Sequence, residues 1–138
     1  MAACDTGAVN LRSILCSELL AKVKLRAKLA KIRSKCSQDG NCLLWPEEST
    51  TREGYGRCFL SYPGHSAVRT TVHRAVYIIH FERPDLIRHK GTVDVSHLCH
   101  RKRCIEVQHL TLESRANNML RNGCRTICVC GQEPHCVL

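Results

Sequence analysis

Large aromatic side chains are scarce in this sequence. Phe, Trp and Tyr together make 4% of its residues, so the ring packing that carries many cores cannot supply much burial. Long apolar runs are missing too. No stretch reaches the length needed to span a bilayer, so no membrane partner is expected. The N-terminus, MAACDTGAVNLRSIL, lacks a basic segment followed by an apolar run and a small-residue cleavage site, which predicts a reducing, intracellular location. No internal repeat and no low-complexity segment is present. With 138 residues the chain is about one domain's worth, with room for one modest core.

Cysteine is what the sequence has in excess, with eleven residues. That load approaches the level at which a short chain relies on covalent or metal staples. In a reducing compartment cysteine clusters bind metal more often than they form bridges, and an odd count fits a full disulfide framework poorly. The formal net charge is +9, and residues 11–35 hold eight Lys and Arg against Glu18 alone, which places seven of those charges in one segment. A basic surface attracts phosphate, so nucleic acid is a candidate partner, while a solvated helix that only aids solubility explains the charge equally well.

Residues 1–10 show no periodicity and are expected to be loose. Residues 11–35 contain no Gly or Pro and many good helix formers. Leu11, Leu15, Leu19 and Val23 recur every four residues, and Leu25, Leu29 and Ile32 continue the stripe past Lys22 and Arg26, which predicts a basic amphipathic helix. Such a helix can pack on the core, its commonest fate, pair with a second copy, or lie along DNA. Residues 36–138 then form the main domain. Turn formers dominate 36–53. Residues 54–62 read as a strand and 66–72 as its hairpin partner across Pro63-Gly64-His65. Residues 72–83 put Val72, Ala75, Val76 and Ile79 on one helical face before Pro84. His73 and His80 read as surface or packing residues of that helix. Residues 85–95 read as a loop or short strand, 96–111 as irregular, and 111–123 as a short helix ending at Gly123. The fold class is α+β, small and loop-rich.

Two clusters have metal-ligand character. In the first, Cys99, Cys104 and His109 are separated by four residues each, which suits tetrahedral zinc and leaves one place unfilled. His97, His100, Cys36, Cys42 and Cys58 are candidates for it. The second cluster offers Cys124, Cys128, Cys130, His135 and Cys136, five residues for four places. Two closed zinc sites would explain how so aromatic-poor a chain folds. Neither spacing matches the fingers that feed a recognition helix into the major groove, so zinc here is expected to lock a scaffold.

The stretch SHLCHRKRCIEVQHLTLESRANN, residues 96–118, resembles the His-Cys box of homing endonucleases, part of the His-Me finger (ββα-metal) nucleases. The match runs through Ser-His-Leu-Cys-His, Cys104, His109-Leu110, Glu113-Ser114 and Asn118. Upstream, CLLWP followed by GYGR, and VHR at 72–74, resemble the family's lead-in to its DNA-facing sheet. The resemblance covers about residues 41–136. It implies a zinc-stabilised ββα-metal fold with two structural Zn²⁺ sites and a catalytic Mg²⁺. It implies that Cys42, Cys99, Cys104 and His109 hold the first zinc, that His97 is the general base and that Asn118 is the Mg²⁺ ligand, with Asn117 its neighbour. Arg57, on GYGR, is the candidate for holding the scissile phosphate. The second zinc falls within 124–136. There the family member compared has a histidine two residues after a cysteine, where this chain has Cys128-Val129-Cys130. Cys130 then stands in for that histidine, and Cys136, with His135 as runner-up, is the last ligand. A family member pairs through a long C-terminal tail, whereas this sequence runs two residues past Cys136. A homodimer is therefore left open, with the 11–35 helix as its contact.

The chemistry gives these roles a reason. Phosphodiester hydrolysis needs an in-line water, a base for its proton and a cation at the leaving oxygen. A neutral imidazole suits the base, since its unperturbed pKa is about 6.5. If Nδ1–H is held by a backbone carbonyl, Nε2 faces the water. Mg²⁺ takes oxygen ligands and keeps most of its waters, so one Asn carbonyl oxygen plus phosphate can hold it. His100 reads as a surface histidine, and Arg101, Lys102 and Arg103 as a loop facing phosphate or water. The function expected is a Mg²⁺-dependent endonuclease on double-stranded DNA, reading it partly through the 54–72 hairpin and located in the nucleus. The alternatives are a zinc-stabilised nucleic-acid-binding protein that does not cleave and a zinc-scaffolded protein–protein adaptor.

Overall fold

The computed structural model describes residues 11–88, 91–124 and 131–137. In chain order the elements are α1 (Leu11–Arg33), β1 (Ser37–Asp39), β2 (Cys42–Leu44), β3 (Arg57–Leu60), β4 (Val68–Thr71), α2 (Val72–His80), β5 (Val93–His97), β6 (Leu110–Ser114) and α3 (Arg115–Arg121). The strands pair as three two-stranded antiparallel ribbons, β1–β2, β3–β4 and β5–β6. Leu44 bridges to Cys104, and Trp45 N and Ile105 N donate to Arg103 O and Leu43 O, so the β5–β6 loop is stitched to the first ribbon. No described helix is long and apolar enough to cross a membrane.

The core lies where α1, α2 and the β3–β4 ribbon meet. Leu25, Leu60, Ala75, Ile78, Ile79, Leu86 and Ile87 form one cluster, and Ile32, Trp45, Val72, Val76 and Ile105 form the next. The apolar face predicted for 72–83 is the buried one, although α2 ends at His80 and Glu82 takes a positive φ of 51° before Pro84. The 54–72 hairpin also forms, in the register Arg57↔Thr71 to Leu60↔Val68. Gly64, at φ +76°, supplies the left-handed turn conformation there.

The apolar stripe expected along α1 divides. Leu25 and Ile32 are buried and Leu29 packs beside them, whereas Leu11, Leu15, Leu19 and Val23 are exposed. Leu11 and Leu29 lie five whole turns apart and so share one azimuth, so direction around the helix does not separate them. Residues 11–20 are exposed throughout, and the core packs only on the half of α1 from Ala21 onward. Two further expectations are corrected. Residues 36–53, read as turns, hold the β1–β2 ribbon. Residues 111–123, read as one helix, begin as β6, paired to β5 from Val93↔Ser114 to His97↔Leu110. Helix α3 starts only at Arg115, where Ser114 Oγ accepts from Asn117 N at 3.1 Å. Cross-strand pairing in the tertiary fold overrides the helix propensity of that segment.

The ββα unit of β5, β6 and α3 is closed by a buried ion pair. Arg121 donates from Nε to Glu113 Oε1 at 3.0 Å and from Nη2 to Oε2 at 2.8 Å, with both side chains almost wholly buried. Ser96 Oγ also donates to Glu113, and Arg121 Nη1 reaches Pro134 O and Cys136 Sγ. Burial alone would raise the Glu113 carboxyl, but the bonds from Arg121 and Ser96 outweigh it and hold the group below the usual carboxylate range.

Two stability predictions arise from this packing. Removing one partner of a buried pair strands the other charge, so Glu113→Gln is expected to cost about 3–5 kcal/mol in urea unfolding near neutral pH. Because the folded pKa is depressed, the carboxylate's contribution is complete above the unfolded value of about 4.3 and is lost as pH falls through the folded value. The gap between mutant and parent should narrow in acid, and equal unfolding midpoints at pH 7 would contradict the ion-pair assignment. Separately, a Cβ at Gly56 would come 2.5 Å from Trp45 Cδ1. Gly56→Ala should therefore overpack the site and cost about 1–3 kcal/mol by the same measurement, and an unchanged midpoint would contradict the close approach.

Candidate metal centre and active site

Four donors converge beneath the β5–β6 loop. Cys42 comes from β2, Cys99 and Cys104 from the loop, and His109 from the 3₁₀ turn that leads into β6. Their ligand atoms all lie within 4.8 Å of one another. Cys42 Sγ and Cys104 Sγ are each 3.5 Å from His109 Nδ1. Tetrahedral zinc with Zn–S about 2.3 Å and Zn–N about 2.0–2.1 Å places ligand atoms roughly 3.5–3.8 Å apart, so the cluster can hold zinc. Three of the four residues are buried. The thiols are also coupled to one another. Hydrogen bonding to Cys104, then burial, drives the Cys99 thiol up, while Cys104, accepting from Cys99, is pulled down to about 5. Of the candidates for the fourth place, Cys42 is the one that joins the cluster. Cys36 and Cys58 pack among core residues instead.

The second predicted cluster is only partly described. Cys128 and Cys130 lie outside the described residues. Cys124 is buried, Cys136 is half-buried with its Sγ 3.2 Å from Arg121 Nη1, and His135 is exposed with Nε2 3.0 Å from Glu133 Oε1.

Beside the first cluster opens a cavity of about 720 Å³ lined by, among others, Tyr55, His73, Asp94, His97, Lys102 and Asn118. His97 ends β5, and its Nε2–H donates to Cys104 O at 3.0 Å. The metal-site loop thereby fixes the imidazole tautomer. The carbonyl meets Nε2, the reverse of the arrangement considered from sequence, so Nδ1 is the nitrogen left for the cavity. Burial pulls the His97 pKa down to about 4, against the opposing pull of the Cys104 carbonyl, so the ring is neutral at physiological pH. Asn118, on α3, donates from Nδ2 to Asp94 Oδ2 at 3.0 Å. Lys102 Nζ sits 5.3 Å from the centre of the Tyr55 ring and donates to Glu53 O.

The structure thus brings His97 and Asn118 to one cavity. It places Arg57 elsewhere, exposed at the start of β3 opposite Thr71, a residue of the cavity wall. The cationic side chains on the wall are Arg74 and Lys102. His73, read from sequence as a surface or packing residue of its helix, is buried and lines the cavity. Its ring centre is 4.3 Å from that of His97, and its Nε2–H donates to Val95 O at 3.1 Å. Burial, then the neighbouring His97, holds its pKa well below the ordinary value. The sequence signal for it was VHR, noted at 72–74 for its resemblance to the family's lead-in. His100, read from sequence as a surface histidine, is half-buried. It lines the cavity at φ +57°, and its buried Nε2 has no hydrogen-bond partner among the described residues.

No curated protein and no solved structure matches the chain. A family model does: that of the zinc-binding loop region of homing endonuclease, over residues 41–138. The matched span holds all four donors of the metal centre together with His97 and Asn118. By that match, over well more than half its length, the chain belongs to the family of homing-endonuclease zinc-binding loop regions.

Proposed function

We propose that the chain is a metal-dependent endonuclease that hydrolyses phosphodiester bonds of duplex DNA. The observation that carries this reading is the meeting of a neutral, tautomer-fixed His97 and the amide of Asn118 on one cavity, at the two ends of a ββα unit. His97 Nδ1 takes the proton of the attacking water, and the Cys104 carbonyl on Nε2–H keeps the ring aimed and stabilises the imidazolium that forms. Asn118 suits Mg²⁺, because its amide nitrogen is committed to Asp94 and its carbonyl oxygen is a hard donor. Mg²⁺ held there would stabilise negative charge on the phosphate and the leaving oxygen. Arg57, beside Thr71 on the hairpin, is proposed to hold a phosphate, and Arg74 and Lys102 give the cavity wall the positive charge a phosphate needs.

The role of zinc in this reading is structural. Cys42, Cys99, Cys104 and His109 hold one ion, which pins the loop carrying the Cys104 carbonyl and so holds His97 in place. A second ion is proposed within 124–136, bound by Cys124, Cys128, Cys130 and either Cys136 or His135.

Two measurements test the reading. Incubated with plasmid DNA and Mg²⁺, the parent protein should produce breaks, and His97→Ala should slow cleavage by about 10²–10⁴-fold. Asn118→Ala should lose activity as well. DNA binding that weakens steeply with salt but yields no product from the parent protein would instead favour a binding module without cleavage. For zinc, native mass spectrometry should find the metal bound, and Cys104→Ser should lose one ion. Chelation should lower the unfolding temperature, because metal-binding energy at such a site is folding energy. A metal-free parent protein of undiminished stability would remove the structural-zinc role.

A further inference from the structure

Asp94 carries the one carboxylate among the described residues that line the cavity. The cavity wall also carries Arg74, Lys102, His73 and His97, a set suited to a phosphate rather than to a second anion. Across the ribbon Asp94 faces another acid, Glu113, in direct register, and like charges opposite one another destabilise a pair of strands. Glu113 is neutralised by Arg121. Asp94 is half-buried, accepts from a neutral amide, Asn118 Nδ2, and lies within electrostatic reach of Tyr55 and of Arg74, whose Nη2 donates to Leu86 O at 2.7 Å. Asp94 and Asn118 thus bring a carboxylate and an amide oxygen together at one edge of the cavity, and Arg74 and Lys102 on the same wall offset the carboxylate's repulsion of a phosphate.

We propose that Asp94 is a second protein ligand of the catalytic cation, alongside Asn118. One carboxylate oxygen, Oδ2, takes the amide N–H of Asn118 and so decides which end of that amide is offered to the ion. The other oxygen supplies a negative charge that a site built on a lone amide lacks. Hard divalent cations favour such a mixed set of carboxylate and amide oxygens. The functional consequence is order of binding. A single neutral ligand must wait for phosphate to complete the site, whereas the Asp94–Asn118 pair retains the ion before DNA arrives. The inference rests on the endonuclease reading and gives its metal site a composition.

The test is a Mn²⁺ titration of the zinc-loaded, DNA-free protein, followed by the electron paramagnetic resonance signal of free Mn²⁺. The parent protein should bind one ion at the site. Asp94→Asn keeps an oxygen to accept from Asn118 and removes only the charge, and it should weaken Mn²⁺ binding about ten- to hundredfold. Asp94→Glu should restore part of that loss. Without Mn²⁺ the zinc-loaded Asp94→Asn protein should unfold no lower than the parent, whereas loss of a merely structural partner of Arg74 would lower it. Equal Mn²⁺ affinity in the parent and Asp94→Asn, or no Mn²⁺ bound by the parent without DNA, overturns the proposal. If the parent cleaves plasmid in either of those cases, the endonuclease reading stands and only the role of Asp94 falls. If the parent neither binds Mn²⁺ nor cleaves, both fall.

Discussion

The structure depends first on the convergence of Cys42, Cys99, Cys104 and His109. Chain entropy opposes that meeting, since Cys42 and His109 are 67 residues apart in sequence. Once it is made, it decides where the β5–β6 loop lies. That loop carries the carbonyl that holds His97, and it joins the strand bearing His97 to the strand leading to α3. A chain with few aromatics has limited hydrophobic driving force for fixing so irregular a segment, and a donor cluster of this kind supplies a local constraint that packing does not.

The second constraint is burial of the imidazoles. His97 and His73 lie under Tyr55 in a cavity where desolvation disfavours their charged forms. A base, the role proposed for His97, has to begin neutral, and here neutrality follows from the packing of β5 against α2. The Glu113–Arg121 pair plays the complementary part on the other side of the ribbon. It joins β6 to α3 and, through Pro134, to the C-terminal segment. The helix that presents Asn118 is therefore held by an ion pair rather than by its own seven-residue length, which is too short for independent stability.

Much of the architecture was legible in particular residues. Val72, Ala75, Val76 and Ile79 marked the buried face of α2, and Pro63-Gly64-His65 marked the hairpin turn. The spacing of Cys99, Cys104 and His109 marked the candidate metal centre but left its fourth member open among five residues, and only the likeness to a known family singled out Cys42 from the five. Other features were hidden. Strand β6 lies in a sequence with helix-forming character, and it is a strand because β5 offers it a partner. His73 and His100 gave no periodic signal of burial, because the cavity that receives them is made by β5, the loop and α3 together. The exposed half of α1 carries apolar residues at helical spacing as the buried half does, and what separates them is that the core packs only on the half from Ala21 onward.

The sequence by itself determined the local pieces: a basic helix, a hairpin, an apolar helix and a run of soft ligands at metal spacing. These follow from side-chain period, turn chemistry and donor type, all properties of near neighbours. Tertiary structure brought Cys42 to the other three donors, and it alone decided which nitrogen of His97 is left for the cavity and that Asp94 meets Asn118. Each of these is a contact between residues far apart in the chain, set by the direction in which packed elements present their side chains, and spacing along a sequence carries no record of that direction.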